Sequence, residues 1–109
     1  MRLRHPELVS GSQKMITLNR SYIYIMTNKY RTTFYVGVTS DLCKRISEHQ
    51  NGIGSSFTSK YNLFDLIYFE EYSDIKQAIA REKQIKNWKK EWKLNLIKDL
   101  NPNLSTLEV

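Results

Sequence analysis

A chain of 109 residues, 40% hydrophobic and 12% aromatic, has the composition of one folded domain and not that of a disordered segment. Its only cysteine, Cys43, excludes an intrachain disulfide and a cysteine-built zinc site, and no apolar run is long enough to span a membrane, so the expectation is a soluble, cytoplasmic protein. The net charge of +6 is local: residues 76–98 hold eight basic residues against two acidic ones, while elsewhere nine bases meet nine acids. Such a block suits a polyanion, nucleic acid above all, and suits equally a lysine-rich solvated helix face.

In chain order, residues 1–20 (MRLRHPELVSGSQKMITLNR) show neither helical nor strand periodicity and read as a flexible leader. SYIYIMT (21–27) and TFYVGVT (33–39) are dense in aromatic and β-branched residues and read as a hairpin across a polar connection. Both suit strands covered on one face or on both. Gly37 is out of place in the second strand unless something approaches its backbone closely. Thr39, Ser40 and Asp41 offer an N-cap for a helix over LCKRISEHQ (42–50), which NGIGSS ends. LFDLIYFEEY (63–72) is the third strand. Ser73 and Asp74 then cap a long helical stretch with a bend near residues 87–89 and a stop before Pro102. The expected fold is α+β, a small sandwich in which a three-stranded antiparallel or mixed sheet is flanked by helices in the order β-β-α-β-α-α. The domain spans 21–104, with a tail at 105–109.

Three polar residues fall where helical periodicity calls for apolar ones. In the first helix Leu42 and Ile46 define the buried stripe, His49 falls within it and Arg45 beside it. In the second helical stretch Ile75, Ala78 and Ile79 define the stripe, and Glu82 projects near its middle. Each has a structural explanation: Arg45 paired with Glu48, His49 as a hydrogen-bonded core histidine, Glu82 as half of a salt bridge. A carboxylate in an apolar stripe nevertheless requires a cation or an open cleft, because burying it unpaired costs at least about 3 kcal/mol. Tyr24 and Tyr35 serve equally as core aromatics. Trp88 and Trp92, four apart, suit packing against the sheet or stacking on bases.

Taken in order, these pieces resemble the GIY-YIG nuclease superfamily, and its small single-domain members most closely. Tyr22-Ile23-Tyr24 stands for the first signature strand and Tyr35-Val36-Gly37 for the second. GVTSDLCKRISEH follows, then LIYFEEY, AIAREKQIKNWKKEWKLNLI and the closing NPNL. Tyr22 stands where the family's name-giving glycine would be. The resemblance implies an endonuclease that hydrolyses phosphodiester bonds in nucleic acid, DNA rather than RNA, with one Mg²⁺ or Mn²⁺ held by Glu82. It implies catalytic roles for Tyr24, Tyr35, Arg45 and His49. Arg45 would place a planar cation on the nonbridging oxygens, the tyrosines would position or deprotonate the attacking water, and His49 would shuttle a proton or orient its neighbours. Arg45 and the metal would lower a tyrosine pKa for that purpose. Gly37 would admit the phosphate backbone, and Lys44, Lys86, Lys89, Lys90 and Lys93 would track it. The alternative is a protein of the same fold that binds nucleic acid without cutting it.

Overall fold

The computed structural model describes residues 20–109; the expected leader lies outside the described residues apart from Arg20. Strand β1 (Ser21–Thr27) is central, with β2 (Phe34–Thr39) on one side and β3 (Asp65–Tyr72) on the other, and both pairings are antiparallel. Helices α1 (Leu42–Gln50), α2 (Ser56–Lys60), α3 (Ile75–Lys86) and α4 (Lys90–Leu100) complete the described elements. The α+β order is therefore as expected, with the addition of the short α2. Its start is a local signal: the Ser55 hydroxyl accepts from the Thr58 amide. The caps of α1 and α3 are likewise aspartates, Asp41 accepting from the Lys44 amide and Asp74 from that of Lys76.

Alternation along β1 divides the core into two. Ile23 and Ile25 face the side covered by α3 and α4, where they pack with Val36, Ile67, Ala78, Ile85 and Ile97. Tyr24 and Met26 face the side covered by α1, with Leu42, Ile46, Leu63 and Leu66. A central strand covered on both faces explains why SYIYIMT reads as a nearly continuous apolar run. Tyr22, at the position of the family's glycine, packs edge-on to Phe69 with ring centroids 6.3 Å apart.

Two expectations need correction. Ile75 and Ile79 do not form the inward stripe of α3; both are exposed, and the inward face is Ala78, Arg81, Glu82 and Ile85. The reason lies on the sheet: the Glu70 carboxylate on β3 binds Arg81 through Nε (2.9 Å) and Nη2 (3.0 Å), so a half-buried anion turns that face of the helix inward. The residues after 104 are also no loose tail. Asn101 Nδ2 donates to the Ile67 and Ser105 carbonyls, and the Leu107 amide donates to the Leu66 carbonyl at 2.7 Å, while the Leu107 side chain joins the α1-side core.

Candidate active site

The strand register places Tyr24 opposite Gly37, and that pairing explains the glycine. A Cβ at Gly37 would lie 2.5 Å from both Cζ and Oη of Tyr24. The group that approaches this backbone is the tyrosine ring, so the expected role of Gly37 against phosphate is replaced by one of making room for Tyr24. Gly54 does the same for the next residue in the chain of contacts. A Cβ there would stand 2.1 Å from His49 Nδ1.

Between those two glycines lies a buried hydrogen-bonded series. The Tyr24 hydroxyl is 3.0 Å from His49 Nε2, and His49 Nδ1 is 3.0 Å from Thr58 Oγ1. Thr58 Oγ1 donates its proton to the Ser55 carbonyl at 2.9 Å, so towards the imidazole it accepts. The network therefore assigns the proton of neutral His49 to Nδ1, and the bare Nε2 accepts from the Tyr24 hydroxyl. Burial lowers the His49 pKa, and the nearby Arg45 charge lowers it further, which favours this neutral form. Sequence reasoning missed Thr58 and Gly54. The pattern of Ser55 three residues ahead of Thr58 marks a helix cap but says nothing of a histidine.

Arg45 lies beside Tyr24, and its side chain is also held by Glu48 at 3.2 Å, the local pair its spacing allowed. Burial outweighs the downward pull that the neighbouring Arg45 exerts on Tyr24 and pushes its pKa up to about 12. Tyr24 is wholly shielded from solvent, whereas Tyr35 is partly exposed. The Tyr35 ring stands 6.3 Å from that of Tyr24 and edge-on to His49 at 5.8 Å.

Glu82 reaches the same edge of the sheet from α3. Its carboxylate is paired with Lys86 Nζ at 2.7 Å, and that ammonium lies 5.8 Å from the centroid of the Tyr35 ring. The salt-bridge explanation of Glu82 is thus present in the structure, and the lysine that makes it also meets Tyr35. Among the described residues no cluster of three or more His, Cys, Asp or Glu side chains could hold a metal. A lone carboxylate suits Mg²⁺ or Mn²⁺ only when water and substrate phosphate complete the shell, and here Glu82 is engaged by Lys86.

The lysines separate. Lys44 is exposed on α1, and Lys89 is exposed at the N-cap of α4. Lys93 is partly buried; burial and the neighbouring Lys86 charge both lower its pKa. Lys90 is engaged by the protein, donating to the Thr32 carbonyl at 2.7 Å beside the Phe34 ring. Trp88 packs against the α3/α4 core, and Trp92 meets it edge-on while half exposed.

A family model described as the GIY-YIG catalytic domain matches residues 20–95. A UPF0213 protein of Staphylococcus saprophyticus is 34% identical over 82 residues, covering 75% of this chain and 99% of its own. One from Clostridium perfringens is 38% identical over 77 residues, covering 71% of this chain and 82% of its own. Among solved structures, the solution NMR structure of the UPF0213 protein BH0048 from Bacillus halodurans superposes with a TM-score of 0.51 at 25% identity, covering 77% of this chain and 88% of that one. No helix among the described residues is long and apolar enough to cross a membrane.

Proposed function

Because the chain belongs to the GIY-YIG catalytic-domain family, we propose that it is a metal-dependent endonuclease acting on nucleic acid, DNA rather than RNA. The observation that carries this reading is the Tyr24–His49–Thr58 series, with Arg45 beside its first member and Glu82 on the same sheet edge. Tyr35 is partly exposed, and Tyr24 has the hydroxyl with a base behind it. Tyr35 positions the attacking water. A proton from that water passes to the Tyr24 oxygen as the Tyr24 proton passes to His49 Nε2, and Thr58 holds the imidazole in the accepting tautomer. Arg45 covers Tyr24 in the resting protein and moves onto the nonbridging phosphate oxygens, where its planar fork meets the developing charge. Mg²⁺ or Mn²⁺ held by Glu82 would supply further neutralisation of that charge.

The test is incubation of the full chain with labelled DNA and RNA under Mg²⁺, Mn²⁺ or EDTA. Internal cleavage that requires the metal is the expected result. Binding without cleavage under every metal would replace this reading with the non-catalytic one, which the occupied Glu82–Lys86 pair favours.

A further inference from the structure

Helix α2 carries a strip of rings outward from the site. Phe57 lies 6.1 Å from the Tyr35 ring at an interplanar angle of 30°, and Tyr61 continues the strip 4.8 Å from Phe57. Phe57 and Tyr61 belong to neither core, and each is 43% exposed. Packing of the fold therefore leaves part of each ring in water beside a candidate catalytic tyrosine. A cation stands at each end of the strip, Lys86 over Tyr35 and Lys60 5.4 Å from the Tyr61 ring centroid. Helix α2 itself, SFTSK, contains no acid.

Rings flanked by cations match the chemistry of a nucleotide, a π face between two phosphates. A duplex shows its base faces only at its ends, because every internal face is covered by a neighbouring pair and the grooves display edges alone. The strip consequently has use for a base only where that base is unpaired. We propose that Phe57 and Tyr61 form a stacking platform for an unpaired nucleotide flanking the scissile phosphate. The preferred substrate is then single-stranded, or carries an unpaired stretch, and is read without strong sequence preference. This inference rests on the nuclease reading above and adds the substrate class to it.

The platform is tested by binding in EDTA, where cleavage cannot intervene. The full chain should bind a labelled single-stranded oligonucleotide more tightly than the blunt duplex of the same sequence. Phe57→Leu and Tyr61→Ala should each weaken single-strand binding at least about fivefold, the loss expected for one stacked base, and leave duplex binding within about twofold. A 2-aminopurine in the strand should be quenched by the wild-type protein and not by Phe57→Leu. Melting curves accompany both variants; should Phe57→Leu fail to fold, Tyr61→Ala decides, as Tyr61 caps the C-terminus of α2. Equal losses on duplex and single strand, or an abasic oligonucleotide bound as tightly as an intact one, would overturn the platform. Cleavage of both forms alike by wild type and Phe57→Leu sinks the platform and leaves the nuclease reading standing. If neither form is bound or cut with Mg²⁺, both fall together.

Discussion

Glu70 and Glu82 both stand at the boundary between the sheet and α3, with side chains 17% and 12% exposed, yet they are held in opposite ways. Glu70 is saturated: Arg81 binds it through two nitrogens, and the hydroxyls of Tyr68 (2.5 Å) and Tyr72 (2.6 Å) donate to its two oxygens. Burial alone would raise its pKa, but these donors outweigh burial and hold the carboxyl below its usual range. Glu82 has a single ammonium from a half-exposed lysine. The two carboxylates therefore differ in how many partners each would have to give up to a ligand. An anion with every lone pair engaged has nothing to offer a ligand, whereas one with a single displaceable partner keeps acceptor capacity.

The sharpest way to break this comparison is to neutralise each glutamate in turn. Glu82→Gln should reduce metal-dependent cleavage by at least about a thousandfold, the effect of losing several kcal/mol of charge stabilisation, with the melting temperature unchanged or raised. Glu70→Gln should instead cost about 2 kcal/mol of stability and leave the cleavage rate of the folded fraction intact. Thermal melts and time courses on the same preparations check both. A Glu82→Gln protein that cuts at the wild-type rate would remove the metal site.

The same contrast extends to the two inward arginines. Arg45→Lys should lose about a hundredfold in rate without loss of fold, since charge remains and the fork is gone. Arg81→Lys should lower the melting temperature and spare the rate. Near-normal turnover of Arg45→Lys would reduce Arg45 to the partner of Glu48.

Tyr24→Phe should slow cleavage more than Tyr35→Phe does, about a hundredfold for loss of proton transfer, because only Tyr24 has an acceptor behind it. The reverse order would exchange their roles. The relay also predicts a pH dependence. His49 has a folded pKa below its ordinary value near 6.5, so on acidification the unfolded chain takes up this proton first. Stability linked to His49 is complete above about pH 6.5 and is lost as pH falls towards the folded value; cleavage falls over the same acidic range. His49→Gln should flatten both profiles, as calorimetry and initial rates against pH will show.

The smallest effect belongs to Thr58. Thr58→Val removes the acceptor of the Nδ1 proton and should cost about tenfold in rate, with the acidic limb of the pH profile displaced. Thr58→Ser, which keeps the hydroxyl, should restore both. Equal behaviour of the two variants would leave Thr58 only a partner of the Ser55 cap.

The amino-acid sequence by itself determined the strands, the bounds of α1, the short segments that cap α1 and α3, and the break between α3 and α4. Alternation, capping and helix termination all act between residues a few positions apart, and so they are legible locally. His49 was also legible, as a polar residue on an apolar stripe, whereas Glu82 was singled out against a stripe whose Ile75 and Ile79 are exposed. Only the tertiary structure decided what those residues meet. That Gly37 makes room for a tyrosine follows from the β1–β2 register, and that Thr58 meets the His49 imidazole follows from where the fold sets α2 against α1. Arg81 looked like one more cation of a basic block until β3 presented Glu70 beneath it. A side chain's partner across the sheet is set by register and helix rotation, which depend on the whole core at once, and no periodicity along the chain carries that information.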